Sequence, residues 1–98
     1  MIEKKQRTQL IKIATACDSV YTVGKLGIND NLIQTLSDAL DAKELIKITV
    51  LKTAPSSTRG IGEELAEILD ADLVTVIGFK VVLYRKSKKE NIHHILED

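Results

Sequence analysis

Read for spacing alone, the apolar residues of this chain alternate between two periods. Leu10, Ile13, Ala14 and Cys17 recur at i, i+3, i+4 and i+7, with Ile11 broadening the stripe. That spacing predicts an amphipathic helix from Lys4 to Cys17, which Asp18 and Ser19 end. Val20-Tyr21-Thr22-Val23 is a short β-branched and aromatic run, hence a strand, and Gly24-Lys25-Leu26-Gly27 breaks it. Asn29 or Asp30 caps a second helix, because a short side-chain oxygen there accepts from an otherwise unpaired backbone N–H. Leu32, Ile33, Leu36, Ala39 and Leu40 form its buried stripe, and it ends near Ala42-Lys43. From Glu44 to Leu51 the period becomes two: Ile46, Ile48 and Val50 face one way, Lys47 and Thr49 the other, as in a half-buried strand with one polar face.

Ala54 to Thr58 reads as loop, with Ser57 or Thr58 as the cap of a third helix. That helix sets Ile61, Leu65, Ile68 and Leu69 against Glu63, Glu64, Glu67 and Asp70. Leu73 to Ile77 and Lys80 to Arg85 are strands joined by Gly78-Phe79, and glycine first in a two-residue loop fits a type II′ hairpin. The order α-β-α-β-α-β-β predicts an α/β two-layer sandwich, helices packed on a four-stranded sheet. Strand–helix–strand units favour some parallel pairing and the final hairpin must be antiparallel, so the sheet is mixed. No internal repeat or boundary divides residues 1–98, so a single domain is expected, with 86–98 as a basic strand extension and tail containing Lys86, Lys88 and Lys89.

Composition narrows the function classes. The chain holds 14 basic and 14 acidic residues, which excludes a uniformly basic coat and an acidic disordered chain. Its single cysteine excludes an internal disulfide framework and a cysteine-based zinc site. Three aromatics and no tryptophan argue against an aromatic platform for stacking bases. No secretory pattern follows the basic N-terminal stretch, and no apolar run approaches the ~18 residues of a membrane span, so a cytoplasmic protein is expected. The distribution of charge says more than its sum. Residues 1–12 carry four basic residues against Glu3; residues 80–89 carry Lys80, Arg85, Lys86, Lys88 and Lys89 and no acid; residues 60–72 carry five acids and no base. A basic strand end and a basic first helix on one face would attract phosphates, with the acidic third helix elsewhere.

Gly24-Lys25-Leu26-Gly27 stands between a predicted strand and a predicted helix. Two glycines permit a sharp turn and close approach to another backbone, and Lys25 adds a charge at the tip. This is the physics of a Gly-x-x-Gly clamp on a sugar-phosphate backbone. Taken alone, the loop reads first as a turn that uses glycine for geometry only.

Three segments in order carry a resemblance: Val23-Gly24-Lys25-Leu26-Gly27-Ile28 before a helix, Glu44-Leu45-Ile46-Lys47-Ile48 opening a strand, and Val76-Ile77-Gly78 leading to Val82-Leu83-Tyr84-Arg85. Together they make the chain similar to the CRM domain family (chloroplast RNA splicing and ribosome maturation), especially its small stand-alone bacterial members of YhbY type, over nearly its whole length to about Lys89. The resemblance implies a fold like the C-terminal domain of translation initiation factor three and RNA binding, with association to the large-subunit precursor of the bacterial ribosome. It assigns Gly24, Lys25, Leu26 and Gly27 to the clamp and Lys47 and Arg85 to basic positions. Two departures stand out: Ile28-Asn29 where Leu-Thr often follows the loop, and a neutral overall charge where stand-alone members are often basic.

The remaining chemistry-bearing residues have plainer readings. Adjacent His93 and His94 lack other ligands to complete a metal site. Cys17 on the apolar stripe is a small hydrophobe without a partner histidine. Gly60-Ile61-Gly62 lacks the third glycine of a dinucleotide loop and reads as flexibility at the start of the third helix. Tyr84 packs on the sheet rather than stacking a base. No acid–base pair, cofactor or small-molecule substrate is expected. Two non-enzyme classes fit: an RNA-binding ribosome assembly factor using Gly24–Gly27 and a basic face, or a protein–protein adaptor using the acidic third helix or the polar sheet face.

Overall fold

A computed structural model describes residues 4–16, 19 and 21–86 of the chain. The elements follow the expected order: α1 (Lys4–Thr15), β1 (Tyr21–Val23), α2 (Asp30–Lys43), β2 (Leu45–Val50), α3 (Thr58–Leu69), β3 (Asp72–Ile77) and β4 (Lys80–Tyr84). Both expected caps form. Asn29 Oδ1 accepts from the Leu32 N–H at 2.8 Å, and Ser57 Oγ accepts from the Gly60 N–H at 3.0 Å. The places of Cys17, Asp18 and Val20, and of the tail with Lys88, Lys89, His93 and His94, lie outside the described residues.

The four strands form one mixed sheet in the order β1-β2-β4-β3. β1 runs parallel to β2, pairing Tyr21 with Ile48, and α2 is the crossover between them. β4 lies antiparallel to both β2 and β3, with Leu45 opposite Tyr84 on one side and Ile77 opposite Lys80 on the other. The β3–β4 loop is two residues long, with positive φ at Gly78 and not at Phe79, the pattern of a type II′ turn. A register shift between Leu73 and Thr75 bends edge strand β3, and the Arg7 guanidinium donates to the Val74 carbonyl there at 2.9 Å.

Helices packed on a mixed four-stranded sheet are thus what the structure shows. The layering goes one step beyond the expected two layers. One apolar cluster lies between the sheet and α2 and α3, built on Val23, Leu36, Leu40, Ile48, Leu65 and Leu83 among others. A second joins Leu10 and Ala14 of α1 to Leu45, Val74, Val82 and Tyr84 on the opposite face. The cause is in β4: Val81, Val82, Leu83 and Tyr84 are buried in succession, so this central strand needs cover on both faces. Each fully buried side chain of this size contributes about 1.5–3 kcal/mol.

Gly62 serves this packing. A Cβ there would lie 3.0 Å from Val81 Cγ1, so the glycine lets α3 sit close on β4 rather than loosening the start of the helix. Among the described residues, no helix is long and apolar enough to cross a membrane.

Candidate nucleic-acid interface

Because β1 and β2 are parallel, both leave the sheet at the same end, and β4 enters from that end. The loops that follow β1 and β2, the β3–β4 turn and the N-termini of α2 and α3 therefore gather there. Backbone hydrogen bonds tie them together. Leu51 N–H donates to Val23 O at 2.8 Å, and Val50 N–H to Phe79 O at 2.7 Å. Gly24–Gly27 closes as a β-turn, with Gly27 N–H donating to Gly24 O at 2.9 Å.

The two glycines of this turn have different tasks. Gly27 has φ of +67° and abuts Pro55, whose Cγ would lie 2.8 Å from a Cβ at this position. A Cβ at Gly24 would meet Leu51 Cδ1 at 3.4 Å, an ordinary contact. Between them Lys25 and Leu26 project into solvent, Leu26 with 85% of its surface exposed. The turn is thus anchored at its second glycine and free at its tip.

The segments 24–29, 51–60 and 77–80 carry Lys25, Lys52, Arg59 and Lys80 and no acidic residue. None of these four is ion-paired among the described residues. Asp30, at the start of α2, is the nearest acid in sequence to the glycine loop. Counting charge by runs along the sequence hides isolated cations such as Lys52 and Arg59. The signal that finds them is topological: acid-free stretches after two parallel strands emerge side by side.

The other expected site residues lie elsewhere. Lys80 joins the cluster, but Arg85, five residues on, lies just past the other end of the same strand, about 17 Å away. Its guanidinium donates to Leu69 O at 2.8 Å, Ser37 O at 2.9 Å, Ser37 Oγ at 3.2 Å and Asp41 Oδ1 at 3.0 Å, bracing α2 against the end of α3. Lys47 donates to Ala14 O at 3.2 Å, at the end of α1. Lys86 is exposed beside Arg85. Tyr84 is buried beneath α1, so it packs on the sheet. Burial, then the charges of Glu44 and Asp72, push its phenol above the ordinary value of 10.0.

The two faces of the molecule differ in sign. α1 carries Lys4, Lys5, Arg7 and Lys12 and no acid, and covers one face of the sheet. α2 and α3 cover the other, with Asp38, Glu63, Glu64 and Glu67 exposed on them. The acidic third helix is thereby held on the face away from α1, as the charge distribution suggested.

Comparison with known proteins adds four findings. The family model described as the CRS1 / YhbY (CRM) domain matches residues 2–85. The chain is 37% identical over 89 residues to a Bacillus subtilis protein named Probable RNA-binding protein YqeI, covering 91% of this chain and 93% of that one. It is 29% identical over 90 residues to Probable RNA-binding protein PA4753 of Pseudomonas aeruginosa, covering 92% and 86%. The solution structure of the Staphylococcus aureus protein SAV1595, proposed there to bind RNA, superposes with a TM-score of 0.78 at 37% identity, covering 93% of this chain and 95% of that one.

Proposed function

The chain belongs to the CRS1 / YhbY (CRM) domain family, and from that premise we propose that it binds RNA through the loop end of its sheet. The observation that carries this reading is the convergence of Lys25, Lys52, Arg59 and Lys80 around a glycine turn, from segments that contain no acid. Cations on loops and at the first residues of a helix and a strand suit phosphate oxygens, and such contacts position a nucleic-acid strand without reading its sequence. The Gly24–Gly27 turn holds Lys25 and Leu26 at an exposed tip, where a sugar-phosphate backbone can reach them. The basic α1 extends the attraction over the adjoining face, while Arg85 and Lys47 act by holding helices in place. Basic residues of the tail, Lys86, Lys88 and Lys89, add longer-range attraction.

The finer part of the proposal concerns the target. Resemblance to the stand-alone bacterial members of the family supports ribosomal RNA of the large-subunit precursor, and hence a role in ribosome assembly in the cytoplasm. The direct test replaces both tip residues, Lys25→Asp with Leu26→Asp. One favourable charge is lost and two repulsive ones are added beside phosphates, so affinity for a ribosomal RNA fragment falls by about 2–3 kcal/mol. Because both side chains stand in solvent, the melting temperature stays nearly unchanged. Reversal of Lys43, exposed at the far end of α2, leaves affinity as it was. Normal RNA binding by the double variant would refute the assignment.

A further inference from the structure

Four of the large hydrophobic residues exposed on this chain, Leu26, Leu51, Ile77 and Phe79, lie on the loop end among its cations; another, Ile68, is on α3. Phe79 is 53% exposed in the β3–β4 turn, where Gly78 alone supplies the positive φ, so turn geometry does not require a ring there. Lys52 Nζ lies 5.7 Å from the centre of that ring. Beside them lies a solvent-open groove of about 440 Å³ whose lining includes Leu51, Lys52, Ser56, Thr58 and Phe79. That size falls in the range of small-molecule sites, ~300–1,000 Å³.

A half-exposed ring with a lysine ammonium over it, and hydroxyls from Ser56 and Thr58 alongside, fits one amphipathic ligand chemistry: a flat aromatic group that takes the ring, with an attached anion that draws the ammonium aside. We infer that this groove holds an unpaired nucleobase of the bound RNA, stacked on Phe79, with its phosphate on Lys52. The inference rests on the RNA-binding reading and specifies its substrate class. A base inside an A-form duplex keeps its faces in the helical stack, whereas looped or single-stranded RNA can turn a base out onto a side chain. The scarcity of aromatics in the chain is then no obstacle, because one ring beside the phosphate track serves one base. The hydroxyls meet whichever base edge is presented, so stacking tolerates sequence.

The test uses oligoadenosine, oligouridine and the duplex made by annealing the two, titrated against the full chain. Wild-type protein is expected to bind the single strands more tightly than the duplex at equal salt. Phe79→Ala should weaken single-strand binding roughly 5- to 150-fold, the range for loss of one base stack. Duplex affinity and the salt dependence should stay as in wild type, since no cation is removed. Phe79→Trp introduces the sole tryptophan of the chain; it should retain affinity, and its fluorescence should be quenched by the single strands and not by the duplex. Equal single-strand affinity for wild type and Phe79→Ala, or an unquenched tryptophan in the bound state, would overturn the stacking site while leaving RNA binding intact. Failure of wild-type protein to bind any of the three RNAs would instead strike the functional reading itself.

Discussion

Replacing Arg85 with alanine should cost the fold about 2–4 kcal/mol and leave the RNA affinity of the folded protein unchanged. The guanidinium spans two helices, with 21% of its side chain exposed. Its bond to Leu69 O engages one of the last-turn carbonyls of α3, a group with no partner inside its own helix. Losing charge-assisted bonds to the Leu69 and Ser37 carbonyls removes about 1.5–3 kcal/mol each before compensation by water, and an orphaned buried carbonyl costs about 1–3 kcal/mol. The ion pair with Asp41, which is 38% exposed, contributes no more than about 1 kcal/mol after solvent screening. Water reaching the vacated site offsets part of the total, which leaves the figure above. For a chain of this length that is a fall in melting temperature on the order of 10–25 °C. Urea unfolding at constant m-value measures it. Arg85→Lys should recover less than half, since one ammonium cannot reproduce the fork, and Lys86→Ala should stay within about 0.5 kcal/mol. An Arg85→Ala variant of wild-type stability that binds RNA tenfold more weakly would refute the reasoning and return Arg85 to the interface.

Gly27→Ala should destabilise by about 1–3 kcal/mol in urea unfolding, because its left-handed φ is strained for any side chain and the new Cβ meets Pro55 at 2.8 Å; Gly24→Ala, with an ordinary contact to Leu51, should be near neutral. Tyr84→Phe should flatten the alkaline limb of the stability profile. Burial and the neighbouring carboxylates raise the folded-state phenol pKa above 10.0, so the native state holds its proton longer. The stabilisation is therefore complete below pH 10 and is lost as pH rises through the folded value, a fall in urea midpoint that the phenylalanine variant should lack.

What the residues disclosed in advance depended on how local the determinant was. Every described helix and strand, both side-chain caps and the two-residue hairpin follow from spacing and turn chemistry within a few positions. The third layer was also present in the sequence, in the unbroken apolar run Val81-Val82-Leu83-Tyr84, which marks a strand buried on both faces and so demands α1 opposite α2 and α3. The glycine loop was visible because its residues are consecutive. Lys52 and Arg59 were not, because they become neighbours of Lys25 only through the parallel pairing of β1 and β2. Arg85 shows the converse: a basic residue in a basic run looks available until its acceptors, which come from Ser37, Asp41 and Leu69, are known. Phe79 is by sequence only the second residue of a turn, and its exposure beside Lys52 depends on the fold.

The central claim, that cations on the loop end meet phosphates, is tested most directly by the salt dependence of RNA affinity. With Lys25, Lys52, Arg59 and Lys80 each neutralising a phosphate, and up to two residues of α1 assisting, roughly four to six counterions are released on binding. Titrating a fluorescent ribosomal RNA fragment at several salt concentrations should give a slope of log affinity against log salt of about −3 to −5. Replacing Lys25 and Lys52 together by alanine should make that slope shallower by about 1.5–2. A slope near zero, or one that the double replacement leaves untouched, would contradict the account even if the protein binds RNA.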